Sequence, residues 1–322
     1  MQIIQASVRD IPEGLCPDGC VLTIGNFDGV HRGHRQLIRE AARLADTLAA
    51  PLLILTFPPR ASADAANLYT EEQKLRLLQE AAPSAKILEL DFDEDLRTMP
   101  EAVFFQKILV EKLAARGIAV GMNFRYGYLA QGTVESLRSH CTDAGIDCLV
   151  LEGVTYQAED GSTQVVSSTQ IRALLAEGKV REAGYLLSHP YTMEGTVQHG
   201  KRLGRTMGFP TVNLLQGEGM ADLRHGVYVT CVDTGNGCFY GVTNVGLNPT
   251  VEHGHRIKIE THILDFDGDL YGKTITVAFL QFLRPEQRFS GIEALKEQLE
   301  QDKCRARAWL HDFEGNLRGE ET

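Results

Sequence analysis

Residues 21–34 read VLTIGNFDGVHRGH, and this stretch carries the architecture of the first half of the chain. VLTI is apolar and branched at Cβ, as a buried strand requires. A turn through Gly25, Asn26, Phe27, Asp28 and Gly29 follows. HRGHRQLIREAARLADTLAA (31–50) then repeats apolar residues at Leu37, Ala41, Leu44 and Leu48, the spacing of one helix face. Strand, glycine turn and helix start, in that order, make an anion cradle. Gly25 and Gly29 let backbone N–H groups approach a ligand, and the helix start adds unpaired donors and the positive end of its dipole. His31 and His34 stand three apart, flanking Gly33, and both can face one phosphate group. No GK[ST] follows, so this is not a Walker loop. The plainer reading is a glycine turn beside two solvated histidines.

On either side the pattern continues as strand-helix alternation. PLLILTF (51–57) reads as a buried strand, and Thr70 with Gln73 forms a capping box ahead of EEQKLRLLQEAA. AKILELDF is the next strand. Pro100 is placed at a helix start and Gly117 as the stop of that helix. IAVGMNF and DCLVLEG complete the strands, with the helix TVESLRSHCTDAG between them. Such alternation predicts a doubly wound parallel sheet, with ligands beyond the carboxyl ends of its strands. Two further segments belong to that end. VVSSTQIR (165–172) offers the hydroxyls of Ser167, Ser168 and Thr169 and, one turn later, Arg172. Alone it reads as ordinary helix capping; beside the histidine loop it supplies the other half of a polyphosphate clamp. GMNFRYG (121–127) brings Asn123, Phe124, Arg125 and Tyr126 to a strand end, where the aromatics fit a flat ring or a core equally well.

The texture changes near residue 185: 14 glycines fall in residues 1–184 and 17 in the shorter remainder. GVYVTCV (226–232), CFYGVTNVG (238–246), RIKIETHIL (256–264) and KTITVAFLQFL (273–283) are strands at short intervals, joined by turn chemistry. They predict an antiparallel sheet or small barrel, closed by an amphipathic helix from Ile292. The break falls in LLSHPYTMEG, where His189-Pro190 interrupts a helix, giving domains 1–186 and 187–322. GTVQHGKRLGRTMGFPTVNL (195–214) is a near miss for a Walker loop, with Arg202 where Ser or Thr is needed. What remains is a glycine-rich basic loop: Gly200, Lys201, Gly204, Arg205 and Gly208, ending in PTVN. Thr211 and Asn213 share one face of an extended run, and their oxygens suit Mg²⁺ bridging phosphates. A basic exposed turn is the alternative. DFDGDLYG (265–272) lacks the spacing of a calcium loop and reads as a hairpin turn.

Composition bounds the function. At 322 residues the chain has room for two cores, and 43% hydrophobic residues exclude disorder as the main state. The formal charge of −11 with scattered cations argues against a nucleic-acid binder. No apolar run spans a bilayer and no secretory signal is visible, so the expectation is a cytoplasmic protein with no membrane partner. The seven cysteines are expected as free thiols, and Cys16 with Cys20 lacks the partners of a zinc site.

GxFDGxHxGH followed by SSTxIR resembles the adenylyltransferase half of prokaryotic bifunctional riboflavin kinase/FAD synthetases, within the broader HxGH nucleotidyltransferases. GRxxGFPTxN, GVTNVGLNPT (241–250), ETHILDFDGDLYG (260–272) and LRPEQRF (283–289) resemble the riboflavin kinase module in order and spacing. The resemblance covers most of the chain. It implies a Rossmann-like first domain and a small barrel with a terminal helix. It implies that Gly25 to Gly29, His31, Gly33, His34, Ser167, Ser168, Thr169 and Arg172 hold ATP while FMN phosphate attacks it. His31, His34 and Arg172 would act as catalytic stabilisers of the leaving pyrophosphate. Asn123, Phe124 and Arg125 fall on the flavin-side motif, with Asn123 where Asp is usual. In TFPPRASAD (56–64), Pro59-Arg60 replaces the family's Pro-His pair. In the kinase half, Gly200, Lys201, Gly204, Arg205, Gly208, Thr211 and Asn213 would bind Mg-ATP, Glu260 would be the general base, and Arg284 and Phe289 would face flavin. The implied activity is ATP-dependent formation of FMN from riboflavin and of FAD from FMN, by a monomer or weak self-associator. A kinase with a merely regulatory first domain is the rival.

Overall fold

Six short strands run parallel in the first half: β1 (Ile3–Ala6), β2 (Cys20–Ile24), β3 (Leu52–Thr56), β4 (Lys86–Leu90), β5 (Ala115–Gly121) and β6 (Asp147–Leu151). Their order is β1-β4-β3-β2-β5-β6. The chain steps outward from β2 through β3 to β4, then returns to pair β5 on the other side of β2. That reversal makes the carboxyl end of β2 a topological switch point, where open α/β sheets bind ligands. The computed structural model describes residues 2–59, 66–199, 208–248 and 256–319.

Helices cover both faces of this sheet. α1 (Arg32–Thr47) and α2 (Glu71–Ala81) pack Leu37, Ile38, Ala41, Leu75 and Leu78 onto Val21, Ile54 and Ile87. On the other face, Leu22, Leu53, Leu88 and Ile118 meet Phe104, Phe105, Ile108 and Leu137. The capping box at Thr70 and Gln73 forms as the sequence predicts. Beyond β4 come α3 (Glu94–Arg97) and α4 (Glu101–Val103), and α4 runs into a π-helical stretch, Phe104–Lys112. Pro100 caps α4 from the position just outside it, and Gly117 does not stop the helix. The turn after the helix ends at Ala114, and Gly117 lies inside β5, where a Cβ would meet Leu44 and Leu48 of the α1 region at 3.0–3.1 Å. Glycine there admits α1 against the sheet. α5 (Val134–Ala144) precedes β6, and the hairpin β7 (Thr155–Gln157) and β8 (Thr163–Val165) leads to α6 (Ser168–Glu177). Lys74 and Glu89 form a buried ion pair at 2.7 Å, and Lys74 Nζ also donates to Phe57 O.

The chain divides by its internal contacts into two units, Met1–Gln170 and Ile171–Thr322. After α7 (Val180–Leu187), the second unit holds β9 (Tyr191–Thr196), β10 (Val212–Leu215), β11 (Gly226–Asp233), β12 (Cys238–Asn248), β13 (Arg256–Ile263) and β14 (Thr274–Arg284). All pairings are antiparallel, in the order β10-β13-β12-β11-β14-β9. The two edge strands approach through a bridge between Gln198 and Asn213, so the sheet is a nearly closed barrel. Thr230, Thr243 and Thr261 form a row of buried hydroxyls across three strands, each 2.8 Å from the next. Helix α8 (Ile292–Gly319) sets Ala306 and Leu310 against Val227, Val229 and Val242. The expectation of seven free thiols needs one correction: Cys231 and Cys238 are bonded across the β11–β12 hairpin, while Cys16, Cys20, Cys141, Cys148 and Cys304 are free.

Candidate functional site

The loop after β2 is wound tightly. Phe27, Gly29 and Val30 all have positive φ (50°, 83° and 41°), and the burial of Phe27 and Val30 holds that conformation. His31 then caps α1: its Nδ1 accepts from His34 N at 3.3 Å. The two imidazoles stack with centroids 3.6 Å apart, the Phe27 ring standing edge-on to His34 at 5.3 Å. Gly33 lies beside the His31 ring and Gly25 beside that of Phe27. Burial holds both histidines uncharged, pushing His31 down to about 4 and His34 well below its ordinary value. With Nδ1 of His31 accepting, the neutral ring keeps its proton on Nε2 as a donor. His34 Nδ1 is buried without a partner. This is a dry, uncharged donor site, in contrast to the solvated pair of the plainer reading.

The second motif meets the first. Ser168 Oγ donates to Asp28 O at 2.8 Å across 140 residues of chain. Asp28 Oδ1 accepts from Leu68 N at 2.9 Å, tying in a third segment. Ser167 Oγ accepts from Gln170 N at 3.2 Å and caps α6. Thr169 lies on the first turn of that helix and Arg172 at the start of the next.

Next to this loop is a cavity of about 440 Å³ with aromatic walls. Asn26 lines it, as do Phe57, Phe92, Phe124 and Arg125. Phe124 and Tyr126 stack at 5.5 Å, and Phe57 and Phe92 meet edge-to-face at 5.8 Å. Asn123 is exposed and not part of the wall. Pro59 is described, and Arg60, the substituted position of the Pro-His pair, lies outside the described residues.

In the barrel, strand register assembles the site. Asn213 of β10 and Asn244 of β12 both stand opposite Glu260 of β13. Lys258, two residues along the same strand face, donates to Glu260 Oε1 at 2.6 Å. Thr211, Asn213, Glu260, Arg284 and Phe289 line one cavity of about 390 Å³. Asn213 Oδ1 is buried and has no hydrogen-bond partner. Arg284 is held by Asp302, which is 0% exposed, with contacts of 2.7–3.2 Å, and its guanidinium lies 5.9 Å from the Phe289 ring centre. A second cavity of about 620 Å³ shares Thr211 and Asn213 and is walled by Thr261, Asp267 and Tyr271. The hairpin reading of DFDGDLYG needs correction: β13 and β14, which it joins, are not neighbours in the sheet, so this stretch is a crossing connection that also walls the cavity. No group of three or more acidic, His or Cys metal ligands occurs among the described residues. Gly208 is described, with φ 84°; Gly200, Lys201, Arg202, Gly204 and Arg205 lie outside the described residues, as do Pro249 and Thr250.

Sequence reasoning missed Lys258, Asn244 and Asp302. Lys258 carried a local signal, its i, i+2 spacing from Glu260 on a strand. The other two come from elements remote in sequence.

Two family models match the chain: FAD synthetase over residues 15–169 and riboflavin kinase over residues 187–310. A bifunctional riboflavin kinase/FMN adenylyltransferase of Pseudomonas fluorescens is 37% identical over 303 residues, 90% of this chain and 93% of that one. Its namesake in Escherichia coli K12 is 35% identical over 300 residues, covering 91% and 93%. A crystal structure described as a macrolide-efflux protein of Streptococcus pneumoniae superposes with a TM-score of 0.82 at 28% identity, over 96% of this chain and 100% of that one. In the chain described above, no helix among the described residues is long and apolar enough to cross a membrane.

Proposed function

The chain belongs to the bifunctional riboflavin kinase/FMN adenylyltransferase family, and from that premise we propose how its residues divide the two reactions. The enzyme phosphorylates riboflavin with ATP to FMN and adenylylates FMN with ATP to FAD and pyrophosphate. The observation that carries the assignment is that the helix-start loop tied to Ser168 adjoins one cavity, and Thr211, Asn213 and Glu260 line another. The adenylyltransferase is assigned to residues 1–186 and the kinase to 187–322.

Within residues 1–186, the ATP phosphates lie against the loop Gly25 to Gly29, on the amides after Gly25, whose own N–H donates to Leu55 O, and on the start of α1. The start of α6 contributes Ser167, Ser168, Thr169 and Arg172. FMN seats its ring among Phe57, Phe124 and Arg125, and Asn26 stands at the junction of ring and phosphate. A phosphate oxygen of FMN then forms the new P–O bond at the α-phosphorus as the bond to pyrophosphate breaks. His31 and His34 donate to the departing oxygens from a low-dielectric site, where fixed donors stabilise developing charge most. No covalent intermediate is required; positioning supplies the rest.

In the second unit, Glu260 accepts the proton of the riboflavin 5′-hydroxyl as that oxygen attacks the γ-phosphorus and the bond to the β,γ-bridging oxygen breaks, releasing ADP; Lys258 orients the carboxylate. Thr211 and Asn213 belong to both cavities, so the phosphates cross between them. The buried, unpartnered Asn213 Oδ1 beside Thr211 is the hard oxygen donor that Mg²⁺ accepts, so these residues fit the ion. Mg²⁺ held there would neutralise charge on the transferred phosphoryl group. The protein acts on small molecules alone, in the cytoplasm, as a monomer or weak self-associator.

The test is a pair of assays on purified full-length protein. Riboflavin, ATP and Mg²⁺ should yield FMN and then FAD, and FMN with ATP should yield FAD directly. FMN formation with no FAD from supplied FMN would leave only the kinase.

A further inference from the structure

Among the turns of the first unit that hold non-glycine residues in the left-handed region, two adjoin the aromatic cavity. They differ in what keeps them there. In the loop after β2, Phe27 and Val30 (φ 50° and 41°) are both 0% exposed, so core packing offsets the strain. In the turn 127–131, Leu129 and Ala130 (φ 51° and 56°) have exposed side chains, and hydrogen bonds tie the backbone. Tyr128 N donates to Met99 O at 2.7 Å, Ala130 N to Gly127 O at 3.0 Å and Gln131 N to Tyr128 O at 3.2 Å. Gly127 has no slack, since a Cβ there would sit 2.6 Å from Glu101 Cα.

Leu129 is 72% exposed. A branched-chain residue with positive φ and its side chain in water gives the free fold neither backbone comfort nor buried apolar area. Yet Leu129 lines the aromatic cavity, as do Tyr128 and Phe92, which are themselves 39% and 38% exposed. The apolar area at this rim is left to be covered by whatever fills the cavity.

We propose that Leu129 is a preformed clamp for the flavin ring of FMN in the adenylyltransferase site. The proposal rests on the assignment of this cavity to FMN. The strained turn projects the leucine over the mouth, and ring binding buries it against Tyr128 and Phe92. Strain that brings the fold no packing thus serves the substrate, which identifies Leu129 as a specificity residue for an extended apolar ring.

The experiment compares Leu129→Asn, Leu129→Gly and Phe124→Ala in full-length protein. Asn and Gly both tolerate the left-handed conformation, so they remove the apolar contact without breaking the turn. Each Leu129 variant should raise KM for FMN about tenfold, the worth of burying much of a leucine side chain. The melting midpoint should stay level or rise, and phosphorylation of riboflavin in the same molecule should be unchanged. If KM for FMN stays within about twofold while Phe124→Ala raises it, the cavity is the FMN site and the clamp is wrong. If neither residue moves KM, the cavity assignment fails and takes the clamp with it. A lower melting midpoint in both Leu129 variants would make the side chain a fold residue and overturn the proposal.

Discussion

The two candidate phosphate sites of this chain are built on different backbones. In the parallel sheet the donors are local: a turn and the helix it feeds place His31 and His34 within four residues, and one hydrogen bond from Ser168 adds the second motif. In the barrel the donors are remote: Asn213 and Asn244 reach Glu260 only because three strands pair in one register. The first site is dry and its histidines are uncharged; the second is built around a carboxylate bonded to Lys258. An uncharged helix-start site suits departure of pyrophosphate, where charge must be met by fixed donors. A carboxylate site suits a hydroxyl nucleophile, whose proton must go somewhere.

The largest expected effect breaks the comparison at its chemical end. Glu260→Gln should lower the rate of FMN formation about 10²- to 10⁴-fold and leave FMN-to-FAD conversion unchanged, read by chromatography of both flavins. Loss of both activities in a folded variant would contradict two separate sites. Next is Lys74→Met, which strands Glu89 at 1% side-chain exposure. Removing one partner of a buried pair costs about 3–5 kcal/mol, so the unfolding midpoint of the first unit should fall while the kinase persists. The double change His31→Ala, His34→Ala should slow FAD formation about 10²-fold, with riboflavin kinase activity as the internal reference.

The smallest effect is in pH. The folded His31 titrates near 4, against about 6.5 when unfolded, so the unfolded chain binds more protons between those values. Stability therefore rises with pH through that window and is lost as pH falls from 6.5 toward 4. His31→Asn should flatten this slope for the first unit in acid melts. An unchanged slope would mean that the imidazole is not buried neutral.

How much was legible follows the same division. Local signals worked: the helix after Gly29, the capping box at Thr70, and the four strands from 226 to 284 all lie where periodicity puts them. The four-residue edge strand β1 is too short to show a period and was invisible; the helix after Pro100 was legible, but the π-helical winding of its turns at 104–112 was not. Gly117 was misread as a helix stop because a close-packing glycine looks the same in sequence as a terminating one. The site residues supplied by the motifs were legible, but their partners were not. Asp302 reaches Arg284 from the terminal helix, and only the tertiary fold places it there.

The threonine row of the barrel has a consequence for accuracy of assembly. Side chains on a strand alternate, so sliding β13 by one residue would exchange Thr261 and Glu260 between inside and outside. That slip would pull Thr261 out of a chain of hydroxyls in which every link depends on its neighbour, leaving Thr243 with a vacant bond in a dry interior. The row works as a vernier: three matched marks on three strands, readable at only one setting. At that setting Glu260 on the adjacent position stands opposite Asn213, so the alignment of the proposed general base is fixed by a row of buried hydroxyls.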